Sequence, residues 1–170
     1  HYLGKEAIQN LLVLRFANLI FDPIWNRGCV QSVQISWKED LGVEERGDYF
    51  DHYGIIRDVV QNHLTQILAL VAMEPPISLD AHAIRNEKAR VLSCVRPVGM
   101  DACVVGQYQG AEYNGEVRPG YTSEKNIAPD SRTPTYAAMV LYIDNRRWDG
   151  VPFYLCAGKG LDGRINEIRI

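Results

Sequence analysis

The stretch YGIIRDVVQNHLTQILALVAMEPP, from Tyr53 to Pro76, decides the fold because it is the longest run with helical periodicity. Its apolar residues recur at helical spacing and form one wide face: Ile55, Ile56, Val59, Val60, Leu64, Ile67, Leu68 and Val71. The Glu74-Pro75-Pro76 sequence ends the helix at Met73, since a proline disfavours helical geometry in the residue before it. The pattern predicts a long helix buried in the core.

The rest of the chain predicts two further helices and a set of short strands. Helices are predicted at Gly4 to Ile20 and at Ala81 to Leu92, the second capped by Ser78 or Asp80. Alternating or short apolar runs predict strands at Gln31–Trp37, Val104–Tyr108, Thr135–Ile143, Val151–Cys156 and Asn166–Ile170. Gly110 to Pro134, rich in Gly, Pro, Ser and Asp, predicts a long surface loop. Helices first and strands afterwards predict an α+β domain, with helices plus a largely antiparallel sheet.

Length and charge limit the classes of function. A chain of 170 residues with 46% hydrophobic content can form one core, which predicts one domain. The net charge is −3 and the basic residues are scattered, so we expect no nucleic-acid partner. The longest apolar run, Ile67 to Met73, is too short to cross a bilayer, so no membrane partner is expected. Four widely spaced cysteines predict reduced thiols rather than metal ligands: Cys29, Cys94, Cys103 and Cys156.

Asp58 and His63 lie close together within the long helical stretch. A neutral imidazole can accept a proton near pH 7, and a carboxylate can accept hydrogen bonds from a polyol. On a regular α-helix residues five apart are separated by about 140°, so the pair shares a face only if the helix is distorted or both reach round one ligand. Asn62, four residues from Asp58, is a candidate support for the carboxylate or the ligand. The alternative is a core histidine bonded to a neighbouring carbonyl.

Two further stretches place this pair in a wider pattern. HYLGKE occupies His1 to Glu6, and RWDGVPF begins at Arg147 and is followed by AGK, which ends at Lys159. In this order, and with FDHYGIIRDVVQNH at Phe50 to His63, they resemble the glucose-6-phosphate dehydrogenases along the whole chain. The resemblance implies that residues 1–170 are the first part of that enzyme's large substrate and dimerisation domain, cut at both ends.

The resemblance implies a reaction and assigns residues to it. These enzymes transfer a hydride from the anomeric carbon of glucose 6-phosphate to NADP and form a lactone, at the entry to the pentose phosphate pathway. His63 matches the catalytic base. The other matched positions are substrate contacts: His1, Tyr2, Lys5, Glu39, Asp58, Lys159 and Arg164. The first three fit a phosphate because imidazole, phenol and ammonium groups all donate hydrogen bonds to an anion. The alternative for each is an ordinary surface side chain.

The sequence departs from the family at two places. The family's loop G-T-E-G-R-G-G-Y-F reads GVEERGDYF here, so Glu45 and Asp48 stand where glycines are usual and Val43 replaces threonine. If either glycine needs a positive φ, this loop must be built differently. Ile165 replaces a lysine that in animal enzymes helps hold a second, structural NADP, while Arg169 is kept at a neighbouring position. Arg169 is therefore the candidate contact to a structural NADP.

The resemblance also implies partners. NADP is expected to bind through a preceding nucleotide domain, because no G-x-G-x-x-G fingerprint occurs in this sequence. A homodimer or tetramer is expected, in the cytoplasm or alternatively the plastid stroma. The competing hypothesis is a non-catalytic paralogue or fragment that binds sugar phosphate and contributes a dimerisation surface. The 170-residue chain alone is expected to be inactive, to bind no NADP and to associate through strands left unpaired, such as Thr135–Ile143.

Overall fold

A computed structural model describes residues 6–18, 20–113 and 115–170 and has an α+β architecture. The helical part comprises α1 (Glu6–Phe16), α2 (Gly47–Ile55), a π-helical segment (Ile56–Leu64), α3 (Thr65–Ala72) and α4 (Ala81–Leu92). The strands are β1 (Val33–Lys38), β2 (Cys103–Gly106), β3 (Ala111–Tyr113), β4 (Glu116–Arg118), β5 (Tyr136–Leu141), β6 (Phe153–Gly158) and β7 (Ile165–Arg169). The predicted fold class is confirmed. No helix in these ranges is both long and apolar enough to cross a membrane.

Five strands form one sheet in the order β2-β5-β6-β1-β7. Three of its pairings are antiparallel, and β1 with β6 is parallel, with Lys38 opposite Gly158. The prediction of a largely antiparallel sheet is therefore confirmed. The expectation that Thr135–Ile143 lacks strand partners is wrong, because β5 pairs with β2 on one side and β6 on the other.

The helices cover one face of this sheet. Because successive strand residues point to opposite faces, alternate residues of the central strands enter the core: Val33, Ile35, Trp37, Ala137, Met139, Phe153, Leu155 and Ala157. The helical side of the core includes Phe50, Ile55, Leu64 and Leu68. Full burial of a large apolar side chain stabilises the fold by about 1.5–3 kcal/mol. The π-helical segment packs directly on β6, which brings it beside the sheet.

The long helical stretch is kinked and changes its register. It begins at Gly47 rather than Tyr53, and Gly54 interrupts it with φ 65° and ψ 172°. This combination of angles is essentially confined to glycine. The following π-helical segment has i→i+5 hydrogen bonds, and at its end the Thr65 N–H donates to the Val60 carbonyl, as does Thr65 Oγ1 at 3.0 Å. The sequence predicted the stretch but not its two distortions.

The last carbonyls of α3 are all capped by side chains. The four terminal carbonyls of an α-helix have no partner within the helix. Arg15 Nη1 donates to Leu70 O at 2.7 Å and its Nη2 to Met73 O at 2.9 Å. Trp25 Nε1 donates to Val71 O at 2.9 Å, and Trp148 Nε1 donates to Ala72 O at 2.7 Å. The buried end of the helix therefore has a complete set of hydrogen bonds.

The end of the first helix and the region Gly110 to Pro134 differ from their predictions, and one predicted helix cap is confirmed. Helix α1 ends at Phe16 rather than Ile20, and a short 3-10 helix covers Asp22–Ile24. Gly110 to Pro134 is more than a surface loop, since it contains the β3–β4 hairpin and the buried Tyr121. Asp80 caps α4, because its Oδ1 accepts hydrogen bonds from the N–H groups of His82 and Ala83.

Candidate functional site

The parallel pairing of β1 and β6 brings Glu39 and Lys159 together. Each is the first residue after its strand, and parallel strands with Lys38 opposite Gly158 end at the same edge of the sheet. The Glu39 N–H donates to Gly158 O at 2.9 Å, which closes the ladder. Lys159 Nζ forms a short, largely buried ion pair with Glu39 Oε2. It also lies 5.8 Å from the centre of the Phe50 ring.

The loop that follows Glu39 is held in place from several sides. Leu161 N–H donates to Glu39 O at 3.0 Å, and Gly160 N–H donates to Leu41 O at 2.9 Å. Arg118 Nη1 donates to Asp40 O at 2.8 Å. The Tyr108 hydroxyl accepts from the Val43 N–H at 3.2 Å and donates to Glu124 Oε1 at 2.9 Å. These hydrogen bonds fix the backbone of the segment from Glu39 to Val43, which forms a wall.

This wall lines a cleft of about 270 Å³. The cleft brings together three residues that the sequence singled out, Glu39, Lys159 and Arg164, and adds Arg46. Three acidic residues of the loop also line it, Asp40, Glu44 and Glu45. A cleft with both carboxylates and cations can accept hydrogen bonds from hydroxyl groups and donate to an anion, which suits a sugar phosphate.

The π-helical register explains how Asp58 and His63 can act together. A segment with i→i+5 hydrogen bonds has more residues per turn than an α-helix, so residues five apart lie closer to one side of the helix than they do on an α-helix. Asp58 and His63 are also close enough for the carboxylate to act on the pKa of the imidazole. Asp58 is buried, and Arg46 Nη2 lies 3.8 Å from its Oδ1. Since Arg46 also lines the cleft, it links the carboxylate of Asp58 to the Glu39 wall.

The surroundings of His63 favour its neutral form. Burial lowers the pKa of His63, and the positive charge of Arg46 lowers it further. The carboxylates of Asp58 and Glu39 act on the same pKa in the opposite direction, and burial is the largest of these effects. A half-buried imidazole that is neutral at pH 7 can accept a proton. No cluster of three or more His, Cys, Asp or Glu side chains placed to hold a metal ion occurs within the described ranges.

Comparison with known proteins identifies the family. Residues 12–170 match the glucose-6-phosphate dehydrogenase C-terminal domain. The chain belongs to this family.

Its relatives have the same family name and a similar fold. The chain is 58% identical to the chloroplastic glucose-6-phosphate 1-dehydrogenase of Nicotiana tabacum, covering all of this chain and 29% of that protein. It is 55% identical to a cytoplasmic glucose-6-phosphate 1-dehydrogenase of Arabidopsis thaliana, covering all of this chain and 31% of that one. A solved glucose-6-phosphate dehydrogenase in complex with its substrate glucose-6-phosphate superposes with a TM-score of 0.91 at 46% identity, over 99% of this chain and 34% of that chain. The chain spans about three tenths of the length of the curated relatives.

Some of the residues predicted to belong to the site lie outside the cleft or outside the described ranges. His1, Tyr2 and Lys5 lie outside the described residues. Arg169 is not among the residues that line the cleft, but sits near the end of β7, opposite Gln34, and pairs with Glu167 at 3.0 Å. Asn62 is exposed and is not among the residues that line the cleft.

The replaced family glycines do not force strain on the loop. Glu44, rather than Glu45 or Asp48, has a positive φ, of 49°. Glu45 points to solvent and pairs with Lys125 at 2.9 Å. The glycine that the loop cannot replace is Gly47, where an added Cβ would lie 2.3 Å from Lys125 O. The two acidic substitutions are therefore compatible with the family's loop.

Arg46 was not predicted as a site residue, because within this charged loop only the positions that depart from the family pattern stood out. The available signal was that Arg46 matches the arginine of G-T-E-G-R-G-G-Y-F, immediately before the glycine that packs against Lys125.

Proposed function

We propose that the protein containing this chain oxidises glucose 6-phosphate to 6-phosphoglucono-1,5-lactone, with NADP as the oxidant, in the first step of the oxidative pentose phosphate pathway. The observation that carries the proposal is the convergence of the Asp58–His63 pair and the Glu39–Lys159–Arg164 cleft on one region of the fold. The similarity to a structure described as bound to its substrate glucose-6-phosphate supports it. Chain 1–170 is proposed to be part of the domain that binds this sugar.

Each side chain has a role that its chemistry permits. His63 takes the proton from the anomeric hydroxyl as the carbon–hydrogen bond breaks and the hydride leaves, so the carbonyl of the lactone forms. Asp58 and Glu39 accept hydrogen bonds from sugar hydroxyls. Lys159 and Arg164 donate to the sugar phosphate, together with His1, Tyr2 and Lys5. Substrate hydroxyls would compete with Lys159 for Glu39, so binding would rearrange this ion pair.

The described residues do not fit NADP by themselves. A dinucleotide phosphate is usually held by a glycine-rich turn that opens a helix, and this sequence has no such fingerprint. Arg169, the candidate for a structural NADP, is paired with Glu167, and the side chain of Ile165, at the other end of β7, offers no donor. We therefore propose that NADP binds mainly to a part of the protein outside this chain.

The test is His63→Asn in the full-length protein, assayed by NADPH formation. General bases typically contribute about 10²–10⁴ in rate, so kcat should fall by that factor while KM for glucose 6-phosphate changes little. His52→Asn is the matched control, because His52 is exposed on α2 and its Nδ1 contacts only the Asp48 carbonyl in the described structure. Retention of more than a tenth of wild-type kcat by His63→Asn would remove His63 as the base.

The competing function is a non-catalytic sugar-phosphate-binding module. It would bind glucose 6-phosphate in calorimetry without forming NADPH in the full-length protein. The acidic residues at the two family glycines, Glu45 and Asp48, favour this alternative, but neither has a positive φ, so neither strains the loop.

We further propose that the protein is a homodimer or tetramer. The sheet face opposite the helices presents partly exposed side chains, including Tyr136, Val140, Tyr154 and Cys156, that another copy can cover. Light scattering on the full-length protein tests this, and a monomer at micromolar concentration would contradict it. Since its relatives include chloroplastic and cytoplasmic proteins, we propose the cytoplasm or the plastid stroma as its location.

A further inference from the structure

Arg46 occupies a position between the sugar cleft and the Asp58–His63 pair. Its side chain lines the cleft with Glu39, Lys159 and Arg164. Its Nη2 lies 3.8 Å from Asp58 Oδ1, a carboxylate that is only 10% exposed as a side chain. A cation beside a buried carboxylate restricts the directions in which that carboxylate can point.

The backbone at Arg46 is fixed more firmly than that of an ordinary surface loop. The Arg46 N–H donates to Val43 O at 3.0 Å, and Val43 is itself held by the Tyr108 hydroxyl. The next residue, Gly47, packs so closely on Lys125 O that no side chain fits there. These contacts determine where the arginine side chain starts.

Contacts with aromatic rings position the guanidinium of Arg46. The guanidinium carbon lies 5.1 Å from the centre of the Tyr49 ring, within the range of a cation–π interaction. Tyr49 stacks on Tyr53, with ring centres 4.7 Å apart. Both rings are about half exposed, so they support the arginine without burying it.

We propose that Arg46 is a positioning residue of the site: its guanidinium orients the Asp58 carboxylate toward the sugar and supplies positive charge beside the His63 imidazole. The inference rests on the proposed dehydrogenase function. It adds to that function a residue that acts through Asp58 and His63 rather than on the reacting atoms.

The proposed role predicts the direction in which the pH dependence of kcat/KM changes when Arg46 is replaced. Within the described ranges three charged groups act on His63: Asp58 in its own segment, Glu39 after β1, and Arg46. Burial is the largest cause of the lowered pKa of His63, and Arg46 adds to the lowering. Removing the arginine charge should therefore raise the pKa of His63. Because His63 must be neutral to act as the base, the acidic limb of the profile of kcat/KM against pH should move to higher pH.

The experiment compares Arg46→Met, Arg46→Lys and wild type in the full-length protein. The Arg46 side chain is 65% exposed, so solvent screens its charge and the effects are modest. We expect Arg46→Met to lower kcat/KM about two- to fivefold at pH 7 and to move the acidic limb up by about 0.2–0.7 pH unit. Arg46→Lys should keep the wild-type limb, since it keeps the charge. Salt at 1 M should shrink the difference in the limb.

The control is Lys125→Met, which removes a cation that pairs with Glu45, the neighbour of Arg46, but leaves the Arg46–Asp58 contact. It should leave the acidic limb unchanged. An unshifted or downward-shifted limb in an Arg46→Met enzyme with wild-type thermal stability would overturn the proposal. An equal upward shift in Lys125→Met would overturn it as well, because loosening of the loop would then be the cause. Failure of the proposed function is distinct, since the wild type itself would form no NADPH from glucose 6-phosphate.

Discussion

The two halves of the long helical stretch differ in regularity and in what they contact. The first half, residues 47–64, is kinked at Gly54, is π-helical from Ile56 onward, and bears Asp58 and His63. The second half is the regular α-helix α3, residues 65–72; residues 67–73 are all buried, and the final carbonyls are all capped by side chains. The distorted half lies beside the cleft, where Phe50 is near Lys159 and Asp58 is near Arg46, and the regular half is buried in the core. This difference indicates that irregular backbone is used where side chains must be aimed, and regular backbone where stability is needed.

The division has an energetic basis. A π-helical turn is rare because its hydrogen-bond geometry is less favourable than that of an α-helix, and such turns occur frequently at functional sites. The fold can tolerate the free-energy cost of a π-helical turn only if the neighbouring structure is stable. Here the stable structure is the capped end of α3, where Arg15, Trp25 and Trp148 meet.

The largest expected effect comes from breaking the regular half with Arg15→Met. Arg15 is 5% exposed, and although burial and the nearby Arg147 lower its pKa to about 10, it remains charged at pH 7. The variant leaves the carbonyls of Leu70 and Met73 without these donors, at roughly 1.5–3 kcal/mol for each charged hydrogen bond. Relief of the buried charge offsets part of this loss, so urea unfolding should show a destabilisation of about 2–4 kcal/mol.

The matched control is Arg27→Met. Arg27 pairs with Asp149 at 2.9 Å, but both side chains are more than half exposed, so the loss should be under about 1 kcal/mol. If Arg15→Met destabilised the protein no more than Arg27→Met, the capped end of α3 would not be the anchor described above.

A smaller effect is expected from removing the kink with Gly54→Ala. The backbone angles of Gly54 are strained for any residue with a Cβ, at a cost of roughly 1–3 kcal/mol. The new Cβ would also lie 3.2 Å from Thr133 Cγ2. Because the π-helical segment starts two residues later, we expect kcat/KM to fall together with the melting temperature. Gly150→Ala is the control, because Gly150 also has a positive φ. An added Cβ there would meet no other atom, and Gly150 lies far along the chain from the π-helical segment, so kcat/KM should be unchanged.

Much of the fold was predictable because periodicity and capping are local signals. The apolar pattern of residues 55–71 placed the buried helix, and Asp80 marked the start of α4. The parallel pairing of β1 with β6 was not predictable, since a strand's own pattern does not determine its neighbour. The β3–β4 hairpin was missed because each strand has only three residues and its apolar content is low.

The candidate site was predictable only in part. Glu39, Lys159 and Arg164 were proposed from the resemblance, and the structure places all three on one cleft. The π register was not predictable from composition, although the five-residue spacing of Asp58 and His63 already required a distortion of the helix. Arg46 was missed because its contact with Asp58 depends on how the loop packs against Lys125.

The smallest expected effect tests the central claim most directly, namely that the π-helical segment aligns Asp58 with His63. The measurement is an NMR titration of histidine-labelled full-length protein, wild type and Asp58→Asn, with the His63 signal assigned from its absence in His63→Asn. The negative charge of Asp58 raises the pKa of His63 against the larger effect of burial. Its removal should therefore lower the pKa of His63 further. A His63 pKa that is unchanged or higher in Asp58→Asn would contradict the alignment.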